Sequence, residues 1–279
     1  QIVIGNGASE LIKSLMETLD CKLGFITPSF EEYMKRYGDK EHVVFTSDKE
    51  GYAYTADDLM SFFDENPADG IVICNPDYPT GNYIPKADML RILDWAKAKD
   101  MKVILDDTFS VFADEEDTLL FDHDIINEYT NLIIIRSISK AHGVPGLRLG
   151  VLATADTDLI FHIKEDVAIW NINSIAECYM QIVGKYKKVQ KAAMVKFMAT
   201  REKYVADLKA IDGLKVYDTQ GNFVFLEVTS GKSARDVTNE LLNTYKLFVK
   251  DLSHKQLYDG REFILVAVKS DNENAQLID

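Results

Sequence analysis

Residues 137–148, Ser-Ile-Ser-Lys-Ala-His-Gly-Val-Pro-Gly-Leu-Arg, carry the chain's most chemically loaded spacing. Lys140 stands in a turn of small residues just after the apolar run Leu132-Ile133-Ile134-Ile135. A buried strand ending this way presents the turn at the carboxyl edge of a sheet, where open α/β folds bind ligands. A lysine there can form a Schiff base, and desolvation or a nearby positive charge lowers its pKa for that work. Ser137 lies three residues before it and Arg148 eight after, both suited to a phosphate. A lysine imine beside a phosphate site suggests pyridoxal phosphate (PLP). A surface lysine in a turn is the plain alternative.

Three further loci carry chemistry in the same style. Gly5-Asn6-Gly7-Ala8-Ser9-Glu10 precedes an apolar helix, and small residues at a helix start let backbone amides reach an anion. Ser9 as a plain helix cap is the competing reading. Asp106 ends the strand Val103-Ile104-Leu105, where a carboxylate is costly unless it meets a cation. A protonated pyridine nitrogen would be such a partner and would make the ring an electron sink; a strand-end aspartate capping its own turn is the alternative. Phe30, in Thr27-Pro28-Ser29-Phe30, is placed either to stack on an aromatic cofactor or to fill core.

The elements that must position these groups follow from the pattern of the whole chain. Its 279 residues suffice for one large or two medium units with a substantial core. Short β-rich runs are predicted at Leu23–Thr27, His42–Thr46, Gly70–Cys74, Lys102–Asp106, Leu132–Ser137 and Leu149–Ala153, with Gln1–Gly5 opening the chain as a strand. Helical spacing falls between them at Ala8–Leu19, Ala56–Phe63 and Lys86–Lys99, the last docking through Leu90, Leu93, Trp95 and Ala96. This alternation predicts a mostly parallel sheet covered on both faces. Pro76, Pro79 and Pro85 with Gly81 mark an irregular loop at the sheet edge.

After about residue 155 the pattern changes. A long helical stretch is predicted over Ser174–Ile211, broken near Gly184. Strands at Leu214–Tyr217, Asn222–Glu227 and Phe263–Val268 follow, with a helix at Ala234–Tyr245. We expect a large α/β/α domain over 1–165, an interface segment and linking helix over 166–200, and a small α+β domain over 201–279.

Composition narrows the functional classes. A net charge of −14 argues against nonspecific nucleic-acid or anionic-membrane binding. No apolar run approaches the length of a membrane span. Cys21, Cys74 and Cys178 are far apart and lack metal-ligand spacing, so no metal is expected and a reducing cytoplasmic setting is. His162 and Glu165 lack further ligands, His142 reads as structural, and Asp114-Glu115-Glu116-Asp117 reads as a solvated acidic loop. The chain opens in a strand without an initiator methionine, so upstream sequence is expected, and a fused domain is one form it could take.

Taken together, these loci resemble fold-type-I PLP enzymes. In particular they resemble class I/II aminotransferases of the histidinol-phosphate aminotransferase and threonine-phosphate decarboxylase group. The resemblance runs from Gly5–Glu10 through Asn75-Pro76-Asp77-Tyr78-Pro79-Thr80-Gly81, Asp106–Phe109 and Ser137–Arg148. It continues through Trp170-Asn171-Ile172-Asn173-Ser174 to the segments around Asn222 and Val249-Lys250-Asp251. It implies Lys140 as the lysine that holds PLP as an imine, Asp106 as the pyridine-nitrogen partner and Phe30 as the ring-stacking residue. Gly7, Ala8, Ser9, Ser137 and Arg148 would form the phosphate cup. It also implies a homodimer with the site at the subunit interface, and amino transfer between an amino acid or amino-phosphate substrate and a keto acid or aldehyde. Decarboxylation of a phosphorylated amino acid, a PLP-binding domain that has lost catalysis, and a phosphate-binding domain without PLP are the alternatives.

Three positions depart from that pattern. Tyr78 stands where the family has an asparagine that bonds the ring's 3′ oxygen, and Phe109 where many members have a tyrosine that does so. With fewer donors to that oxygen, the imine pKa is expected to rise. Leu265 stands where the family has an arginine gripping the substrate α-carboxylate. The substrate then lacks that carboxylate, another cation such as Lys250 or Lys269 substitutes, or activity is reduced. Asn222 is the remaining substrate-side candidate.

Overall fold

In the computed structural model, which describes residues 1–115, 122–254 and 260–278, aliphatic runs bounded by glycine and polar residues form the strands. The first half runs β1 (Ile2–Asn6), α1 (Ala8–Thr18), β2 (Leu23–Thr27), α2 (Glu32–Tyr37), β3 (His42–Thr46), α3 (Ala56–Glu65), β4 (Gly70–Cys74) and α4 (Lys86–Ala98). It continues with β5 (Lys102–Asp106), α5 (His123–Glu128), β6 (Leu132–Ser137), α6 (Ile138–Ala141), β7 (Leu149–Thr154) and α7 (Thr157–Asp166). One seven-stranded sheet results, in the order β1-β7-β6-β5-β4-β2-β3, parallel from β6 through β3.

The expected mostly parallel sheet is therefore present, with one reversal. β7 runs antiparallel to both β1 and β6. Its first residue, Leu149, pairs with Asn6 at the end of β1, so the start of β7 lies at the same edge as the ends of its neighbours. Arg148 reaches that edge by preceding a strand rather than following one.

Alternation along each strand feeds two cores. Ile71, Ile73, Val103, Leu105 and Ile134 pack beneath α3 and α4, while Val72, Cys74, Ile104, Ile133 and Ile135 pack beneath α1 and α7. The docking face of α4 is Met89, Ile92, Leu93 and Ala96. Leu90 and Trp95 are only partly buried, and the Trp95 indole donates to Asp64 at 3.0 Å, because the helix is rotated from the expected face.

Beyond residue 166 come α8 (Ser174–Val183), a single 3₁₀ turn at Gly184–Tyr186, and α9 (Lys187–Lys209). They are followed by β8 (Leu214–Val216), β9 (Phe223–Val228), α10 (Ala234–Glu240), β10 (Lys250–Asp251), β11 (Glu262–Ala267) and α11 (Asp271–Ile278). The helix expected over 234–245 ends in a π-turn at Leu241–Tyr245. The four strands form an antiparallel sheet, β10-β11-β9-β8. One face, with Val224, Leu226, Ile264 and Val266, packs on Tyr204 and Leu208 of α9. The other, with Phe223, Phe225, Phe263 and Leu265, packs on Tyr52, Tyr78 and Phe109.

Arg201 on α9 joins the two sheets' surroundings. Its buried guanidinium donates to the Phe112 carbonyl (2.6 Å), the Gly221 carbonyl (3.2 Å) and Asp114 (2.8 Å). Asp114 also accepts from Gln220, and Glu115 accepts from the Tyr83 phenol and the Lys86 amide. The acidic segment is thus partly a tether rather than a freely solvated loop; Glu116 and Asp117 lie outside the described residues.

Candidate active site

Strand register gathers the anion-binding groups. Ser137 pairs with Gly150, and Gly150 pairs with Gly5, so Arg148 and Gly7 both lie two residues beyond the Ser137–Gly150–Gly5 row at the same sheet edge. Gly7 has φ +90°, a conformation that favours glycine, and it caps α1 without a side-chain hydrogen bond. A Cβ on Gly7 would come within 2.9 Å of the Arg148 Cζ, and one on Gly150 within 2.7 Å of the Ala8 Cα. Glycine at both positions lets the first turn of α1, β7 and a guanidinium converge. Ser9 is an exposed residue inside the helix, so the cap reading for it fails. The Ala8 and Ser9 amides open the first turn beneath Arg148, and an anion there meets both the helix dipole and a full charge.

Asp106 ends β5 beside this row and is 6% exposed. Its carboxylate accepts from the Tyr33 phenol at 2.8 Å and the Thr108 amide at 3.0 Å. Burial raises its pKa, and the Thr108 and Tyr33 bonds and the charge of Arg136 oppose that shift. Tyr33 stays a proton donor, because burial and then Asp106's charge raise its own pKa well above normal. Its helix, α2, went unread in the sequence; the apolar i, i+4 pair Tyr33 and Tyr37 was the available signal.

Arg136 was missed as well. It is 3% exposed at the end of β6, ion-paired with Asp107 and donating to the Ser110 hydroxyl at 2.8 Å. Thr108 Oγ1 accepts from the Ser137 amide at 3.0 Å. These bonds lock the Asp106–Ser110 turn against the turn that carries Lys140.

Lys140 lies on α6 with its Nζ 5.8 Å from the centre of the Phe109 ring. Its side chain is open to the cleft, yet desolvation lowers its pKa, reinforced by the charges of Lys250 and Arg148 and opposed by Asp106. His142, two residues on, contacts the Tyr179 phenol (2.9 Å) and the Gln190 amide (3.3 Å), fastening this turn to α8 and α9. Phe30 is 37% exposed and meets Tyr33 and Tyr78 edge-on, at centroid separations of 6.2 and 6.1 Å. Phe30 also lines a cavity of about 400 Å³ together with Ser29, Tyr33, Cys74 and His254.

The opposite wall is aromatic. Tyr78 stacks on Phe109 (6.1 Å, 15°), and both meet Phe223 edge-on at 5.1 Å. Leu265 is buried below them. Directly across the β10–β11 ladder from Leu265 is Lys250, whose Nζ donates to the Tyr78 hydroxyl at 2.8 Å. Lys269 instead pairs with Glu273 on α11. Asn222 is half-buried just before Phe223, its carbonyl accepting from the Val268 amide.

The arrangement fits a phosphorylated cationic ring: an amide-and-guanidinium cradle, a buried carboxylate whose pKa burial raises, an aromatic edge and a lysine of lowered pKa. Comparison with known proteins points the same way. The family described as aminotransferase class I and II matches residues 1–279. Histidinol-phosphate aminotransferase of Clostridium novyi strain NT is 32% identical over 283 residues, covering 99% of this chain and 74% of that protein. CMP-5′-(3-aminopropyl)phosphonate synthase of Streptomyces rubellomurinus is 27% identical over 278 residues; the match covers 100% of this chain and spans 44% of that protein's length. The solved structure of a decarboxylase from Sulfurospirillum multivorans superposes with a TM-score of 0.90 at 29% identity, covering 99% of this chain and 79% of that one. Pyridoxal 5′-phosphate is the cofactor of this group of enzymes, and the fold is that of the type I PLP-dependent transferases. Among the described residues, no helix is long and apolar enough to cross a membrane.

Proposed function

The chain belongs to the class I and II aminotransferase family, and on that premise we propose that it moves an amino group between an amine-bearing substrate and a keto acid or aldehyde, with Lys140 as the covalent carrier of PLP. The observation that carries this reading is the placement of Lys140 between the Arg148–α1 cradle and the Tyr78–Lys250 wall, within electrostatic reach of Asp106. PLP, when bound, supplies an aldehyde for the amine and a cationic ring that accepts electrons. The first turn of α1, Ser137 and Arg148 would hold its phosphate. Asp106 would keep the ring nitrogen protonated, Phe30 would cover the ring, and Tyr78 would donate beside Phe109.

Lys140 then carries the proton. Its lowered pKa enlarges the neutral fraction near neutrality, so the same amine serves first as the attachment point and afterwards as the base at the substrate carbon. On the substrate side we assign Lys250 to the substrate's acidic group and Asn222 to the neighbouring rim. Leu265 contributes only apolar surface. An ammonium offers a point charge where a guanidinium would offer a planar fork.

Two observations favour a second reading. Phe109 leaves the wall without the phenol many transaminases carry there, and the 0.90 TM-score is with a decarboxylase. Decarboxylation of a phosphorylated amino acid is therefore the alternative; a domain that binds PLP without turnover is the third.

We also propose that residues 1–165 act as the large domain, 166–200 as the link and 201–279 as the small domain, in a cytoplasmic homodimer. Ile169 and Trp170, 92% and 93% exposed, support a second copy at this edge. They adjoin Asn171, whose amide donates to Glu10 in the first turn of α1.

Borohydride reduction of the PLP-loaded protein, followed by peptide mapping, tests the central assignment. The adduct is expected on Lys140, and an adduct elsewhere overturns it. Incubation with amino acids and keto acids separates the reactions: new keto acid marks transfer, and carbon dioxide released without an acceptor marks decarboxylation.

A further inference from the structure

Asp77 is fully buried, 0% exposed, in the loop that follows β4, and the proposed chemistry does not use it. Its Oδ1 accepts from the Ser29 hydroxyl at 2.5 Å and from the Tyr78 amide at 2.8 Å, and its Oδ2 accepts from the Tyr54 phenol at 3.0 Å. Those donors come from three separate segments. Ser29 precedes Phe30 in the loop after β2, Tyr54 lies ahead of α3, and Tyr78 stands in the loop after β4. The Asp77 loop is itself held, because the Gly81 amide donates to the Asp77 carbonyl and the Asp77 amide to the Asn82 carbonyl, both at 2.8 Å. Tyr54 remains a donor across the working pH range, since burial and Asp77's charge raise its pKa well above normal.

We propose that Asp77 is a positioning residue for the cofactor: a buried anionic clasp that fixes the distance between Phe30, over the ring, and Tyr78, at its edge. This rests on the PLP reading above. Oδ1 is the working atom, because it accepts both from the Phe30 loop, through the Ser29 hydroxyl, and from the Tyr78 peptide, on either side of the 6.1 Å edge-to-face contact of those two rings. A carboxylate suits the position because it accepts all three hydrogen bonds and donates none. Asparagine can keep the two bonds at Oδ1 and turn its amide nitrogen toward the Tyr54 oxygen. Alanine takes this acceptor away from all three donors, of which the Tyr54 phenol is buried.

The test compares wild type with Asp77→Ala, Asp77→Asn and Ser29→Ala, using the visible circular dichroism of bound PLP, the PLP dissociation constant and the thermal midpoint. Ser29 is only half-buried, so its variant folds whether or not Asp77→Ala does. Ser29→Ala and Asp77→Ala are each expected to lose at least half of the visible dichroism and to weaken PLP binding about tenfold, the effect of one hydrogen bond to a charged group. Asp77→Asn is expected to retain most of the signal. The clasp is overturned if Ser29→Ala keeps the wild-type dichroism and affinity, or if Asp77→Asn loses as much as Asp77→Ala, which would make the charge rather than the acceptor geometry responsible. A wild-type protein with no visible PLP band refutes the underlying cofactor reading instead.

Discussion

The two ends of the cleft are built from different materials. At the α1 end, backbone amides, glycine contacts and a guanidinium are fixed by strand register: Ser137, Gly150 and Gly5 lie in one row, and Arg148 and Gly7 follow from it. At the opposite end, Tyr78, Phe109, Phe223 and Leu265 make a mostly apolar wall with the Lys250 ammonium at the Tyr78 margin. The first end is dictated by the sheet and matches what a phosphorylated ring requires. The second is assembled by the meeting of the two sheets, and it is where the family's usual groups are replaced. On the proposed reading the first wall serves the cofactor's phosphate, while the second combines Tyr78 at the cofactor's edge with Lys250 on the substrate side.

The largest expected effect tests the carrier that both walls serve. Lys140→Ala should lower turnover at least about ten-thousandfold, because on the proposed reading one side chain provides both the attachment and the proton transfer. It should leave noncovalent PLP binding measurable by equilibrium dialysis, since the Arg148–α1 cradle is untouched. Loss of turnover together with complete loss of binding would mean the cradle does not hold the phosphate by itself.

Asp106 tests the cofactor end alone. Asp106→Asn should lower kcat about a hundred- to thousandfold, as expected for losing an electrostatic partner of the reacting system. In the PLP-free chain the same change should hold or raise the thermal midpoint. A carboxyl whose folded pKa is raised makes the folded state bind more protons than the unfolded one, so stability falls as pH rises from its unfolded value of 3.8 through the folded pKa. Removing the charge removes that penalty. A drop in both kcat and midpoint would cast Asp106 as a structural anchor for Tyr33 and Thr108.

Lys250 tests the substrate end. Lys250→Met should reduce kcat/KM about ten- to a hundredfold, the range for losing a charged hydrogen-bond partner, while PLP affinity stays within about twofold. Its positive charge also helps to lower the Lys140 pKa, so its removal raises that pKa. The acidic limb of the rate profile, which reports neutral Lys140, should therefore move to higher pH. An unchanged KM with a shifted limb would confine Lys250 to tuning Lys140.

What could be read from the sequence divides along the same line. The strands of the large sheet, the Gly7–Ser9 helix start, Asp106 and the Lys140 turn were legible because each depends on local pattern: apolar runs ending in small or charged residues at a sheet edge. The reversal of β7 was hidden, since an apolar strand has the same composition in either direction. So were Tyr33 on a six-residue helix and the buried Arg136–Asp107 pair, whose partners are 29 residues apart. Lys250 could be named as a cation near Leu265, but only the ladder register gives it that residue's face of the sheet. Asp77 carried no signal, because a carboxylate in a proline-rich loop reads as solvated until its three donors are seen.

The smallest effect is the sharpest control on that register argument. Lys269 stands four residues beyond Leu265 in sequence and was as good a candidate as Lys250 before the fold was known. It lies past the end of β11, pairs with Glu273 at i, i+4 with both side chains at least half exposed, and reaches none of the aromatic wall's described contacts. Exposed pairs of this kind contribute about 0–1 kcal/mol, so Lys269→Ala should leave kcat/KM and the pH profile within about twofold of wild type. If Lys269→Ala instead reproduced the Lys250→Met loss, the cation near the substrate would be chosen by overall positive charge around the cleft. Cross-strand pairing with Leu265 would then explain nothing about specificity.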